Sequence, residues 1–182
     1  MEKIILKSVT DEYKDAVMNY KKEFIDDGES MDGTAGLRNC ETFEEWVTLL
    51  KDNSKEETVR DGVVAATTLL AISESDNRLI GMVDIRHKLN DFLSNYGGHI
   101  GYSVRRTERK KGFATQILAQ ALNKCIDLNI KKVLLTCDKT NTPSAKTIHN
   151  NGGILENEVM YDDSTTIQRY WITVQNTSSL KQ

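Results

Sequence analysis

The sequence is poor in the residues that mark disulfide-rich and membrane-embedded proteins. Its 182 residues include three cysteines, one proline and 7% aromatic residues. Cys40, Cys125 and Cys137 are widely spaced and form no C-x-x-C pair. A disulfide framework or zinc site is therefore not expected, and a reducing cytoplasm is the default. The start of the chain has charges inside its only apolar run, so a secretory signal is not expected. No segment approaches the roughly 20 apolar residues of a membrane span.

Neither sign of charge is in clear excess overall. Lys and Arg number 24 against 27 Asp and Glu, so the net charge is −3. This balance gives no reason to expect a general nucleic-acid binder. The length favours one domain with a sizeable core, which we assign to residues 1–176, followed by a frayed tail over residues 177–182.

The first half of the chain reads as a strand and two amphipathic helices. A short strand over residues 4–7 precedes a helix from about Tyr13 to Phe24. A second helix is signalled by Thr42 and Glu45, which have the spacing of a capping box. The polar loop over residues 28–39 separates the two helices. Long loops inside compact domains are often functional.

The second half alternates strands and helices. Residues 63–73 and 78–87 form a hairpin pattern, and a helix over residues 112–128 connects strands at 99–104 and 133–137. Thr142 is expected to cap the next helix, with Pro143 at its first position. Two closing strands follow at residues 154–161 and 165–174. The strand–helix–strand unit implies a locally parallel pair, so we expect an α+β fold with a mixed, mostly antiparallel central sheet flanked by helices.

A basic turn lies between the strand at residues 99–104 and the following helix. Residues 105–111 carry five positive side chains and one negative. Gly112 and Ala114 let backbone amides approach a ligand, Thr115 adds a hydroxyl, and the helix N-terminus contributes free N–H groups. This pattern favours a phosphate or pyrophosphate site over the alternative, a solvated basic turn. The P-loop and G-x-G-x-x-G fingerprints are both absent.

Residues 109–114, Arg-Lys-Lys-Gly-Phe-Ala, resemble the R/Q-x-x-G-x-G/A motif of the GCN5-related N-acetyltransferases, the GNAT superfamily. The segment from Asn141 to Ala145, followed by Asn151-Gly152, resembles that family's N-x-x-A/S…G segment. Residues 79–104 are similar to its central strands, so the resemblance covers about residues 79–160. It implies the acyl-CoA N-acyltransferase fold with a splayed parallel strand pair, and acetyl-CoA as cofactor.

The resemblance also assigns cofactor contacts by position. The pantetheine arm is expected on the backbone of Tyr102 and Val104, and the Val104 amide becomes an oxyanion-hole donor. The arm is lined by Asn141, Ser144 and Ala145, although Asn141 alone reads equally as a turn residue. The pyrophosphate is expected on the residues of the motif, namely Arg109, Lys110, Lys111, Gly112, Phe113, Ala114 and Thr115.

The usual catalytic acid and base of the family are missing at their expected positions. Ile148 stands where many members have a tyrosine, and Gly98 where a carboxylate is common. His99 and Asp84 are therefore candidate bases, and Tyr161 is a candidate proton donor to the thiolate. The alternatives are a strand-edge histidine bonded to backbone and an ordinary half-buried aromatic ring.

The predicted function is a cytoplasmic N-acetyltransferase that moves an acetyl group from acetyl-CoA to a primary amine by direct attack in a ternary complex. The acceptor is a small molecule or a peptide, and neither a nucleic acid, a membrane nor a metal is expected. Acidic residues before and within the long loop are expected to attract a cationic amine, or simply to keep that surface solvated: Glu23, Asp26, Asp27, Glu29 and Asp32.

Two alternatives stay open. One is a non-catalytic acyl-CoA-binding or regulatory module of the same fold, and the other is nucleic-acid binding through the basic turn, which the overall acidity disfavours. The family resemblance also allows a homodimer. The sequence identifies neither the acceptor nor the oligomeric state.

Overall fold

The computed structural model describes residues 2–175, so the tail predicted at residues 177–182 lies outside them. A single π-helical turn, Leu93–Gly97, precedes the fourth strand. The described elements are, in chain order, β1 (Ile4–Ser8), α1 (Lys14–Asp26), α2 (Phe43–Asp52), β2 (Ala66–Ser73), β3 (Leu79–Arg86), β4 (Ile100–Val104), α3 (Phe113–Asp127), β5 (Lys132–Asp138), α4 (Thr142–Asn150), β6 (Ile154–Met160) and β7 (Thr166–Thr173).

The helix starts follow from local side-chain chemistry, with one correction. Thr42 caps α2 by accepting the N–H of Glu45 at 3.1 Å, as the capping-box spacing predicts. At α4 the prediction of Thr142 as the cap is wrong. Asn141 is the N-cap, and its Oδ1 accepts the N–H of Ser144 at 3.1 Å. Pro143 is tolerated one position later than predicted because the first helical N–H groups have no intrahelical acceptor.

The strands form two antiparallel sheets, ordered β1-β2-β3-β4 and β5-β7-β6. This confirms the mixed α+β class. The strands β4 and β5 meet only where they begin to separate: the His99 N–H donates to the Leu134 carbonyl at 2.7 Å, and the Leu134 N–H donates to His99 Nδ1 at 2.9 Å. Beyond this junction the described residues form no ladder between the two strands, so the expected splay divides the sheet in two.

Two hydrophobic clusters cover opposite faces of the first sheet. On one face α3 packs through Phe113, Ile117 and other buried residues. On the other face α1 and α2 contribute Tyr20 and Trp46 to a separate cluster that includes Met82 of β3. Because side chains alternate along a strand, Met82, Asp84 and Arg86 share the α1–α2 face. None of the helices described is both long and apolar enough to cross a membrane.

Candidate functional site

The turn before α3 presents unpaired backbone amides. Lys110 and Gly112 have left-handed backbone conformations, with φ of 63° and 84°. Glycine adopts such a conformation without the Cβ strain that other residues suffer. The amides of Phe113, Ala114 and Thr115 find no acceptor within residues 2–175. Their N–H groups and the positive end of the α3 dipole make this turn a site for an anion.

The arginines of the basic turn face the C-terminal end of α1 and the residues that follow it. Each pairs with a carboxylate: Arg105 with Glu23 at 2.8 Å, Arg106 with Asp27 at 2.9 Å, and Arg109 with Glu29 at 3.0 Å. The hydrogen bonds from Arg109 lower the pKa of Glu29. Three of the five acidic residues expected to attract an amine therefore neutralise the basic turn instead.

The two lysines of the turn differ in their partners. Lys111 pairs with Glu108 at 3.1 Å, while Lys110 makes no ion pair within the described part of the chain. The anion site consequently rests on backbone amides, with Lys110 as its least neutralised cation.

The edge of β4 that faces away from β3 is open. In the β3–β4 ladder, Arg86 N–H donates to the His99 carbonyl at 2.8 Å and Arg105 N–H donates to the Ile80 carbonyl at 2.9 Å. Antiparallel alternation then turns the backbone groups of Tyr102 and Val104 toward the gap. The Val104 carbonyl indeed accepts a hydrogen bond from Arg109 Nε at 3.0 Å. Tyr102 and Val104 thus offer their amides to a ligand in the gap.

The start of α4 closes the other side of this gap. Tyr102 Oη lies 3.1 Å from Ser144 Oγ, which links β4 to α4. Asn141 uses its side-chain Oδ1 as the helix cap, so its Nδ2 remains as a donor. The half-buried Ala145 packs against the hydrophobic cluster that includes α3. Burial raises the pKa of Tyr102 and keeps its hydroxyl protonated. Ile148, which stands where many family members have a tyrosine, is buried in the core at 1% exposure.

His99 lies at the junction of the two sheets. Its Nδ1 accepts the Leu134 N–H, and burial lowers its pKa to about 4. The geometry matches the alternative drawn from the sequence, a strand-edge histidine bonded to backbone.

Asp84 is buried on the α1–α2 face of β3. Its Oδ1 accepts the Thr68 hydroxyl at 2.8 Å, and its Oδ2 lies 3.2 Å from Arg86 Nε. Burial raises the pKa of this carboxyl, and the Arg86 charge opposes that effect only in part. Asp84 therefore titrates closer to neutrality than an exposed aspartate does.

Asp84 and Arg86 line a cavity of about 370 Å³ that sequence reasoning missed. The cavity lies between the end of α2, the loop before β2, the strands β2 and β3, and the π-helical turn. Its other polar residues are Asn53, Arg60, Thr68 and Asn90. One signal could have indicated it: Asp84 and Arg86 are the only charged residues of the otherwise apolar β3 segment.

Tyr161 lies on the cavity side of the molecule. It is 52% exposed and packs against Tyr96, with the ring centroids 5.0 Å apart, and against Phe92. Tyr161 thus neighbours Phe92, which lines the cavity, whereas Tyr102 reaches α4.

The cysteines and other metal-binding side chains form no further centre in the described residues. Cys40, Cys125 and Cys137 are buried and free, and burial raises the pKa of Cys125 to about 12. Such thiols are poor nucleophiles. Within residues 2–175 no group of three His, Cys, Asp or Glu side chains could hold a metal ion.

An open strand edge beside an amide-lined helix start, on a split sheet, is the arrangement that the GNAT resemblance implies. The family model for the acetyltransferase (GNAT) domain matches residues 3–154. The chain therefore belongs to the GNAT acetyltransferase family and is an acyltransferase. No curated protein matches the sequence significantly.

Solved structures share the fold at low sequence identity. The ribosomal protein α-N-acetyltransferase RimL in complex with coenzyme A has a TM-score of 0.68 at 13% identity, covering 94% of this chain and 98% of that one. A protein described as a GnaT-family acetyltransferase from Bordetella pertussis has a TM-score of 0.65 at 12% identity, with 94% and 96% covered. The dodecameric spermidine N-acetyltransferase of Vibrio cholerae has 0.63 at 15%, with 93% of each chain covered.

Proposed function

We propose that the protein transfers an acetyl group from acetyl-CoA to a primary amine of a small molecule or peptide, by direct attack in a ternary complex. The observation that carries the proposal is the open edge of β4 at Tyr102 and Val104, next to the unpaired amides at the start of α3. Related structures that acetylate spermidine or a protein N-terminus support the amine as acceptor.

The donor chemistry of this groove fits acetyl-CoA, which supplies the activated acetyl thioester. The amides of Gly112, Phe113, Ala114 and Thr115 would hold the pyrophosphate, with charge from the neighbouring lysines Lys110 and Lys111. Arg109 contributes by fixing the Val104 carbonyl rather than by meeting a phosphate. The Asn141 Nδ2 group and the side chains of Ser144 and Ala145 would line the pantetheine arm.

The Val104 amide is the proposed oxyanion donor. Its N–H group is directed into the gap by the β3–β4 register and needs no rearrangement to meet developing charge. One such donor typically contributes about 3 kcal/mol to transition-state stabilisation. The β3–β4 hydrogen-bond ladder fixes the orientation of this N–H group.

Proton transfer is assigned to Asp84 and Tyr102. Asp84 has a raised pKa and lines the cavity, so it is the proposed proton acceptor, reached from the amine through water. The Tyr102 hydroxyl, oriented by Ser144, is the proposed donor to the thiolate in place of Tyr161. His99 positions the strand junction instead of acting as a base.

A direct assay tests the proposal: release of free thiol from acetyl-CoA against a panel of amino acids, polyamines, other amines and peptide N-termini. Turnover with at least one amine is expected. In the same assay Tyr102→Phe should lower kcat roughly 100-fold while the Kd for CoA stays unchanged. CoA binding without turnover across the panel would contradict the proposed function. A larger loss in Tyr161→Phe than in Tyr102→Phe would reassign the proton donor.

Three broader assignments accompany the proposal. The three free, buried cysteines support a reducing cytoplasmic compartment. We assign the acyltransferase domain to residues 1–176; the pairing of β6 and β7 with β5 in the second sheet supports including the C-terminal strands. The edge strand β6 exposes Ile154 and Met160, at 74% and 68%, which supports a homodimer.

A further inference from the structure

The cavity beside β3 carries an excess of positive charge. Its charged lining residues are Arg60, Arg86 and the single carboxylate Asp84. Asp84 is already engaged by Thr68 and by Arg86, so it offers little to an incoming cation. A net charge of +1 in a partly enclosed space favours a ligand with one negative charge.

Arg86 is held so that one nitrogen remains available. Its Nε faces Asp84, and its Nη1 donates to the Gly97 carbonyl at 3.1 Å and lies 3.4 Å from that of Gly98. Gly97 ends the π-helical turn and Gly98 follows it, so the turn places both carbonyls beside the guanidinium. Nη2 donates no hydrogen bond to the described residues, and the side chain is 22% exposed. An arginine that lines a cavity and is held in place by these contacts is a preorganised anion contact.

Arg86, which lines the cavity, also contacts β4. A Cβ at Gly101 would lie 3.0 Å from Arg86 Nη2, so the guanidinium packs directly against β4. Gly101 precedes Tyr102, whose backbone faces the gap. Val104, whose amide is the proposed oxyanion donor, lies three residues after Gly101, about 10 Å along the strand.

Two further residues of the lining have unmet hydrogen-bonding capacity. Arg60 is exposed and makes no ion pair or side-chain hydrogen bond within residues 2–175. The buried Oδ1 of Asn53 has no donor in the described structure. Buried polar groups without partners are rare in folded proteins, which indicates that a polar ligand or water completes the cavity.

Polyamines fit this cavity poorly. A polyamine carries several positive charges, whereas the single carboxylate of the lining, Asp84, is already engaged by Thr68 and Arg86. We propose that the acceptor is a small primary amine that also carries one carboxylate, which the Arg60 and Arg86 side chains bind in this cavity. The inference rests on the proposed acetyl transfer and specifies its substrate class.

Three four-carbon amines of matched length test this class: γ-aminobutyrate, n-butylamine and putrescine. We expect kcat/KM to be at least about tenfold higher for γ-aminobutyrate than for n-butylamine, and lowest for putrescine. Isothermal titration of γ-aminobutyrate and n-butylamine, without acetyl-CoA, gives a second readout of the same preference. A preference for putrescine, or equal values for all three amines, would overturn the proposal.

Variants separate the cavity from the acetyl-transfer chemistry. Arg60→Gln removes an exposed, unpaired cation, so the fold should persist while the preference for γ-aminobutyrate falls several-fold; Arg86→Gln should abolish it. Lys131→Gln, which neutralises an exposed lysine outside both sites, should leave the preference unchanged. CoA affinity should be unaffected in all three. A retained preference in both arginine variants would refute the assignment, whereas lost turnover with retained γ-aminobutyrate binding would refute only the proposed function.

Discussion

The basic turn before α3 and the cavity beside β3 use arginine in opposite ways. In the turn, Arg105, Arg106 and Arg109 pair with carboxylates at the end of α1 and just after it. Their positive charge is therefore neutralised by groups of the protein itself. In the cavity, Arg60 has no ion pair in the described residues, and Arg86 keeps one guanidinium nitrogen unpaired. The region richest in positive charge along the sequence is therefore the more neutralised of the two.

The number of charged residues in a segment of sequence therefore does not show how much of that charge is available to a ligand. The anion site at α3 depends on backbone conformation, because its donors are amides. The cavity depends on side chains brought together from α2, a loop and two strands. We expect the first site to be sensitive to backbone geometry and insensitive to charge, and the second to be the reverse.

The largest expected effect comes from breaking the backbone of the first site. Gly112→Leu should weaken CoA binding roughly 100-fold, about 2.7 kcal/mol, because the left-handed turn shifts and at least two charge-assisted hydrogen bonds are lost. Isothermal titration with CoA measures the change.

Gly152→Leu is the matched control for this variant. Gly152 has φ of 82° and no atom within 4 Å of an added Cβ, so the substitution carries the same backbone strain at the end of α4. It should lower stability similarly and leave CoA affinity within about twofold of the parent. Equal CoA affinity in the Gly112 and Gly152 variants would show that the backbone of the turn is not the anion site.

An intermediate effect is expected at His99, where the two sheets meet. Its folded pKa of about 4 lies below the ordinary value of 6.5, so the unfolded chain binds a proton in this window that the folded protein does not. The free energy of unfolding should therefore fall as the pH drops from 6.5 to 4, with about 2 kcal/mol attributable to His99 after screening. Urea denaturation at both pH values measures it.

His99→Asn should remove that part of the pH dependence. The asparagine Oδ1 can accept the Leu134 N–H in place of Nδ1 but does not titrate. His149→Asn, at an exposed position on α4, should keep the parent's pH dependence. A His99→Asn protein that loses stability in acid as steeply as the parent would show that the junction is not responsible.

The smallest effect tests the neutralised charge itself. Glu29→Gln removes the partner of Arg109, whose guanidinium is then free to interact with bound CoA. CoA affinity should rise two- to threefold at low salt, since ion pairs this exposed contribute about 0–1 kcal/mol. The gain should disappear at high salt, as screening removes it.

Glu44→Gln, which breaks the distant Lys14–Glu44 pair, is the control and should not change CoA affinity. Weaker CoA binding in Glu29→Gln would mean that Glu29 supports the site by ordering Arg109, and the contrast between the two regions would lose its electrostatic basis.

Much of the cofactor groove could be predicted from sequence because it is encoded locally. The strand before the turn, the glycine at a left-handed position and the asparagine at the next helix start are neighbours along the chain. The error at α4 was a one-residue shift of the cap from Thr142 to Asn141, which both residue types permit. The expected role of His99 depended on a partner, Leu134, that lies on another strand, so the sequence could not distinguish base from junction.

By itself the sequence determined the order of elements and the amide-lined start of α3, because periodicity, capping and glycine conformation act over a few residues. The open edge of β4 was expected only from the family resemblance. Only the tertiary structure decided which charges are free. The acidic end of α1 meets the basic turn across the fold, and Arg60 and Arg86 meet around one cavity although 25 positions separate them along the chain. Coulomb energies depend on distance and burial, and both are set by packing.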